Sequence, residues 1–219
     1  LRARCRHCRT PISIQYPLVE LITAATFTWC YHRFGFSPMF FEYTIFFSFC
    51  ILVSFIDIAY RAIPGWMCIV GMLIGITVAG IETVNDINRN GLTMTIEALP
   101  LYVSLVGAVA SIGVSYFLKL FGDLFLWVYL SMRKQKDLEG ETEALGLGDV
   151  DFLGMAGAFM GWKLGVLTFF LAPFISLVYG IYLIAGKKSH LIAYLPFLSI
   201  AAFIAAFWGD TILRLLFGI

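Results

Sequence analysis

Apolar stretches of helical length recur along almost the whole chain and constrain its fold more than any other feature. Of the 219 residues, 60% are hydrophobic and only 13% are charged, whereas soluble domains are closer to half apolar and a quarter charged. A helix of about 20 apolar residues spans the roughly 30 Å of hydrocarbon in a bilayer. The sequence therefore predicts an all-α, polytopic bundle of helices embedded in a lipid bilayer.

The hydrophobic pattern predicts about seven membrane helices. They are placed at 16–34, 40–59, 64–82, 97–130, 149–161, 163–186 and 190–217. The chain begins at Leu1 without an initiator methionine, and we expect it to be a fragment of a longer protein. The expected organisation is a short N-terminal appendix at 1–15 and one membrane domain at 16–219.

Lys and Arg divide unequally between the two sides of this predicted topology. One side holds Arg2, Arg4, Arg6, Arg9, Arg61, Arg133, Lys134, Lys136, Lys187 and Lys188. The other holds only Arg33, Arg89, Lys163 and Arg214. Because positive residues accumulate in cytoplasmic loops, the first side is predicted to be cytoplasmic. The basic residues lie in short loops rather than on one face, so nothing indicates nucleic-acid binding.

Two aspartates fall at the same, cytoplasmic edge of the predicted bundle. Asp57 lies at the inner end of the second helix, and Asp149 opens the fifth, which starts from an inner loop. A carboxylate in a membrane segment is costly unless it is paired or lines a wet cavity, so it marks a candidate functional site. Two carboxylates at one depth predict a single shared site.

Paired carboxyl groups are typical of aspartic proteolysis. The ionised group draws a proton from the attacking water, and the protonated group stabilises the developing oxygen charge. Such a pair titrates as a unit. Gly146 and Gly148 precede Asp149 in a Gly-x-Gly-Asp pattern, where they would let backbone and an extended substrate approach the carboxylate.

Simpler explanations exist for each aspartate. Asp149 is well placed as a helix N-cap, and Asp57 could pair with Arg61 on the same helix face. Asp151 is predicted to point to nearly the opposite face of its helix from Asp149 and is a poor partner for it. Intramembrane carboxylates also serve transporters and channels, which remain an alternative class.

Small residues on one face of the helix from Asp149 predict close helix packing. They are Gly154, Gly157, Ala158 and Gly161. Their spacing lets a neighbouring helix approach closely, which would also help to bring Asp149 within reach of Asp57.

Four stretches closely resemble the type IV prepilin peptidase family, the bifunctional leader peptidases and N-methyltransferases of bacteria. Cys-Arg-His-Cys at 5–8, with Pro-Ile-Ser-Ile-Gln-Tyr-Pro-Leu-Val-Glu-Leu at 11–21, is similar to the second half of the family's tetracysteine region and the entry to its next span. Asp-Ile-Ala-Tyr-Arg-Ala-Ile-Pro at 57–64 and Gly-Leu-Gly-Asp at 146–149 resemble its two catalytic motifs. Tyr-Leu-Pro-Phe at 194–197 resembles its late Pro-Phe motif.

The resemblance implies a GxGD-type intramembrane aspartic protease of the bacterial inner membrane, with its active site facing the cytoplasm. It would cleave the basic leader of prepilins and pseudopilins of type IV pilus and type II secretion systems, after a glycine that precedes an apolar helix. It would then methylate the new N-terminal residue with S-adenosylmethionine. A cleavage-only, preflagellin-type peptidase is the alternative within this class, although the stretch from Cys5 to Leu21 argues against it.

Residue roles follow from the same resemblance. Asp57 and Asp149 would be catalytic, with Gly146, Gly148, Pro64 and Glu20 as active-site support. Cys5 and Cys8 would be zinc ligands, and 1–15 would be the remnant of a cytoplasmic zinc and methyltransferase region, with one more membrane span upstream. The chain departs from the family pattern at Asp151, where the family commonly has Lys.

A run of acidic residues precedes the Gly-x-Gly-Asp pattern. It comprises Asp137, Glu139, Glu141 and Glu143. Because prepilin leaders are basic, we expect this segment to steer the leader towards Asp149. An ordinary solvated loop is the simpler interpretation.

Overall fold

A computed structural model of the chain is all-helical over the residues that it describes, which are 7–8, 10, 13–61, 64–91, 95–133, 145–185 and 193–218. Within these ranges the helices are α1 (Gln15–Phe34), α2 (Pro38–Tyr60), α3 (Gly65–Asn90), α4 (Pro100–Arg133), α5 (Leu147–Ala185) and α6 (Leu195–Phe217). A 3₁₀ turn at Ile96–Ala98 leads into α4.

Five of the helices in the described part of the chain, α2 to α6, are long and apolar enough to cross a membrane. The first predicted span, α1, is not among them, because Glu20, His32 and Arg33 lower its hydropathy. The fifth and sixth predicted spans lie within the single helix α5. The prediction of a polytopic helix bundle is therefore confirmed, but the count of seven spans is not.

The helix α5 is broken at Gly161, close to the predicted boundary between the fifth and sixth spans. Gly161 has φ 78° and ψ 169°, a conformation that L side chains rarely adopt. A Cβ atom at Gly165 would lie 2.9 Å from Cα of Gly157, whereas eight residues of straight helix rise about 12 Å. The two halves of α5 therefore fold back on each other, and Tyr179 in the second half contacts Phe197 near the start of α6.

The first half of α5 lies at the centre of the bundle. Residues 152–161 are all buried, as expected for a helix that is apolar on every face. The predicted small-residue face packs as expected, because a Cβ atom at Gly154 would lie 2.6 Å from Ile112 on α4. Gly157 meets the backbone of Gly107 on the same helix.

Two helix boundaries differ from the predicted ones by five residues or more. The helix α3 continues to Asn90 instead of ending near residue 82, and it stops at Gly91, whose φ is 68°. Polar residues such as Asp86 continue this helix because a helix does not have to end where its apolar segment ends. The helix α6 begins at Leu195 instead of residue 190, with Pro196 in its first turn, where proline is well tolerated.

Candidate active site

Asp57 lies on the last turn of α2 and binds the start of α6. Its side chain is only 6% exposed, and the N–H of Leu195 donates a hydrogen bond to its Oδ2 at 3.1 Å. Tyr194, at the N-cap of α6, makes no capping hydrogen bond through its own side chain. The carboxylate of Asp57 therefore satisfies a backbone donor that a helix start leaves without an intrahelical partner, at the positive end of the helix dipole.

Polar contacts one turn away support this junction between α2 and α6. The hydroxyl groups of Ser54 and Ser199 are 2.7 Å apart, and Ser199 also donates to the carbonyl oxygen of Cys50 at 3.3 Å. The chain leaves α2 at Arg61, whose φ of 50° is left-handed. Arg61 acts on Asp57 electrostatically, but no ion pair joins them in the described part of the chain.

Asp149 lies in the first turn of α5 and is also only 6% exposed. The helix begins at Leu147, two residues before the predicted start, and the N–H of Asp149 donates to the carbonyl oxygen of Gly146 at 3.2 Å. Its Oδ1 is buried and has no hydrogen-bond partner among the described residues. Asp149 is thus not the N-cap of α5, and a buried acceptor without a partner is costly.

The structure brings Asp57 and Asp149 into one site. The carboxylate of Asp57 is among the groups that act electrostatically on Asp149, although 91 intervening residues would separate them in an extended chain. Asp57 lies at the end of α2 beside the start of α6, and Asp149 lies at the start of α5, so that both carboxyl groups are at one end of the bundle, as the topology predicts. Two like charges close together repel each other, so ionisation of one carboxyl group disfavours ionisation of the other.

Two further residues, Tyr194 and Cys68, interact with Asp149 although the sequence pattern assigns them no role in the site. Burial raises the pKa of the Tyr194 phenol well above its usual range, and the nearby Asp149 carboxylate adds to the rise. Cys68 on α3 is fully buried and interacts electrostatically with Asp149 and Asp151. Tyr194 begins the Tyr-Leu-Pro-Phe motif, but that pattern does not reveal its proximity to Asp149, and an isolated cysteine such as Cys68 is ordinary in an apolar chain.

Asp151 faces the start of α3 instead of Asp57. A Cβ atom at Gly65 would lie 2.7 Å from its Oδ2, and Gly65 follows Pro64, the N-cap residue of α3. This carboxylate is half-buried near the positive end of a helix. Pro64 thus marks the start of α3. This helix carries Cys68 and contacts Asp151 at Gly65, so Pro64 lies at the edge of the site.

The remaining predicted support residues differ in their positions. Gly146 lies against Asp149, which with Asp57 is called the dyad below, because a Cβ atom there would be 3.2 Å from Oδ2 of Asp149. Gly148 is half-buried in the first turn of α5. Glu20 is exposed on α1, a helix that packs on α2 and on the far part of α6, where Trp29 contacts Phe207. None of the contacts described for Asp57 and Asp149 involves Glu20.

The predicted zinc site gains no support. Among the described residues, no group of three or more His, Cys, Asp or Glu side chains could hold a metal ion. Cys8 is exposed, and its Sγ lies 2.7 Å from Oγ1 of Thr10. Cys5 and the acidic segment at 137–143 lie outside the described residues.

These features define a class of protein. It is a polytopic helical membrane protein in which two buried, interacting aspartates from separate helices meet at one end of the bundle.

The chain belongs to the type IV leader peptidase family. The sequence model of that family matches residues 44–181, which carry both aspartates, and the model of the bacterial peptidase A24 N-terminal domain matches residues 1–34. The membership of this family that the sequence predicts is thereby confirmed.

Relatives of this chain share the same description, prepilin leader peptidase/N-methyltransferase. The protein from Aeromonas hydrophila is 30% identical over 98% of this chain and 65% of its own length. The one from Myxococcus xanthus is 33% identical over 77% of this chain and 43% of its own length. The one from Pseudomonas aeruginosa is 28% identical, and the chain again spans 65% of it. No solved structure matches the chain.

Proposed function

We propose that the protein is an aspartic endopeptidase that removes the basic leader from type IV prepilins and pseudopilins. The observation that carries this proposal is that Asp57 and Asp149 are both buried and interact electrostatically at one end of the bundle. Membership of the leader peptidase family supports the reaction class. The names of the relatives support the substrate class.

In the proposed reaction, the two carboxyl groups share one proton. The ionised group takes a proton from water while the water oxygen bonds to the peptide carbonyl carbon, and the protonated group donates its proton to the carbonyl oxygen. The carbon–nitrogen bond then breaks as a proton passes from the dyad to the leaving amine, and a hydroxyl group of the intermediate returns a proton to the dyad as the new carboxyl group forms. Oδ1 of Asp149, buried without a protein partner among the described residues, is suited to bind the attacking water.

The proposed substrate approaches from the cytoplasmic side of the inner membrane. The leader would be cut after a glycine, just before the apolar helix that lies in the bilayer. The proposal includes steering of this leader by the acidic residues at 137–143, because opposite charges accelerate encounter. It places the lysine- and arginine-rich loops on the same side.

Methylation of the new N-terminus is the second part of the proposal. The free amine produced by cleavage would attack the methyl carbon of S-adenosylmethionine, release S-adenosylhomocysteine and lose a proton. Support for this step comes from the N-methyltransferase in the names of the relatives. It does not rest on the geometry of the dyad.

Incubation of the purified protein with a prepilin, followed by mass spectrometry, tests both parts. We expect a product that lacks the leader, and a gain of one methyl group when S-adenosylmethionine is added. The Aeromonas hydrophila relative, treated in parallel, is the positive control. A prepilin that stays intact with this protein while the relative cuts it would overturn the proposed peptidase activity.

A further inference from the structure

The helix α4 carries a buried lysine, Lys119. It is only 6% exposed, and its Nζ lies 3.1 Å from Oδ2 of Asp123 on the next turn. The same Nζ donates a hydrogen bond to the carbonyl oxygen of Leu145 at 2.8 Å. A lysine is almost never this buried unless its charge is paired, and here part of its bonding goes to the backbone just before the Gly-x-Gly-Asp pattern.

The packing of α4 against α5 explains why a lysine reaches this place. One face of α4 presents small buried side chains to α5, at Ser104, Ala108, Ser111 and Ser115. The two helices run antiparallel, so that Gly107 faces Gly157 and Ile112 faces Gly154. If the pairing of residues on the two helices is followed further along α4, Lys119 lies opposite the start of α5.

The position of Lys119 in the membrane fits the same arrangement. It lies about 28 Å along α4 from Pro100, at 1.5 Å per residue, which is close to the thickness of the hydrocarbon. The long apolar stem of a lysine can cross such a boundary while its ammonium group reaches polar partners. Asp123 and the carbonyl of Leu145 are among these partners.

A short path connects Lys119 to the dyad. Leu145 is bonded to Gly146, and the carbonyl of Gly146 accepts the N–H of Asp149 at 3.2 Å. Gly146 also lies against the carboxylate of Asp149. A movement of Leu145 would therefore move the residues that set the position of the catalytic carboxylate.

We propose that Lys119 is a positioning residue that fixes the entry of the chain into the active site, by holding the Leu145 carbonyl against α4. It touches neither substrate nor reacting atoms. Its effect on turnover rests on the proposed peptidase function, whereas its effect on the order of 145–149 does not.

Hydrogen exchange of backbone amides tests the structural part without any activity. Lys119→Met keeps the apolar stem and removes the ammonium group. We expect faster exchange at 145–149 and unchanged protection in the buried turns at 154–160. Lys163→Met, at an exposed lysine beyond the Gly161 turn, is the matched control and should leave both segments unchanged. Equal exchange at 145–149 in wild type and Lys119→Met would overturn the inference.

Kinetics with a prepilin separates positioning from a general loss of structure. A misplacement on the order of 1 Å at a reacting group can cost about 100-fold, so Lys119→Met should lower kcat by about 10- to 100-fold with little change in KM. Lys119→Arg keeps a charged donor and should recover most of the rate. Equal kcat losses in the Met and Arg variants, or a loss confined to KM, would contradict the positioning role.

Asp123→Asn and Lys119→Gln complete the design. The first weakens the ion pair but leaves the Leu145 bond, so it should change the exchange of 145–149 less than Lys119→Met does. The second is one bond too short to reach Leu145, and it carries the test if the Met variant does not fold. Unchanged exchange in folded Lys119→Gln would count against the proposal in the same way.

Discussion

Asp57 and Asp149 are held in different ways although both are 6% exposed. Asp57 accepts the backbone N–H of Leu195, so one of its oxygens is fixed by a helix start that belongs to another part of the chain. Asp149 keeps one buried oxygen without a partner among the described residues. The side chain of Asp57 is thus oriented by a hydrogen bond, whereas Asp149 keeps an oxygen that can still bind substrate or water.

The close contact between Gly146 and Asp149 gives a prediction at this scale. In Gly146→Ala, the new Cβ would lie 3.2 Å from Oδ2 of Asp149, and the carboxylate must shift by a few tenths of an ångström. We expect the rate of prepilin cleavage to fall about 10-fold, with unchanged thermal stability. Gly80→Ala is the control, because its Cβ would meet nothing closer than 4.0 Å. Wild-type activity in Gly146→Ala would show that this contact does not matter.

At the scale of elements, the packing of α4 on the first half of α5 sets the position of Asp149 along the axis of the bundle. The two backbones approach so closely at Gly107 and Gly157 that a side chain at either position would run into main-chain atoms. Main chain cannot move aside as a flexible side chain can, so the small residues at this crossing are a requirement of the fold.

A substitution at this crossing should therefore destabilise the bundle. In Gly107→Ala, the added Cβ would lie 2.8 Å from Cα of Gly161, and overpacking of this kind costs about 1–3 kcal/mol. We expect a lower Tm in detergent and a loss of cleavage that follows the loss of folded protein. Gly113→Ala on the same helix is the matched control, since nothing lies within 4 Å of its Cβ. An equal Tm for the two variants would contradict the packing account.

The elements that the sequence predicts well are those that depend on local pattern. The ends of α1 and α2 lie within two residues of the predicted positions, because apolar runs and polar loops mark them. The continuation of α3 to Asn90 is not predicted, because the last part of this helix is polar and the apolar pattern ends before it. The break at Gly161 falls near a predicted boundary, but the return of the chain along α6 rests on contacts such as Tyr179 with Phe197.

In the candidate site, too, the sequence predicts the features that depend on local pattern and not those that depend on contacts between distant segments. The motifs and the alternation of helices are sufficient to place Asp57 and Asp149 on one side. The roles of the Leu195 N–H, Cys68 and Lys119 depend on the register between helices that are distant in sequence. No single-sequence pattern encodes that register, and these residues were therefore missed.

For the whole molecule, the course of the helices gives a defined topology. The ends of α2 and α4 and the starts of α3, α5 and α6 share the side of the dyad. The turn at Gly161 and the connection between α1 and α2 lie at the opposite side. The unequal distribution of Lys and Arg predicts that the side of the dyad is the cytoplasmic one.

Single cysteines in a cysteine-free background test this topology. Phe36 is exposed between α1 and α2, so Phe36→Cys should react with a membrane-impermeant maleimide applied to the outer face of the inner membrane. Glu141→Cys, in the segment between α4 and α5, should react only after the membrane is permeabilised. The reverse pattern would place the dyad on the wrong side for a cytoplasmic leader.

The central claim is that Asp57 and Asp149 form one catalytic pair, and the most direct test is the rate of prepilin cleavage by single Asp-to-Asn variants. We expect Asp57→Asn and Asp149→Asn each to reduce kcat by about 10³-fold or more while both remain folded. Asp210→Asn, the same change at an exposed aspartate near the other end of α6, should cleave at the wild-type rate. Cleavage at the wild-type rate by either folded dyad variant would contradict the account.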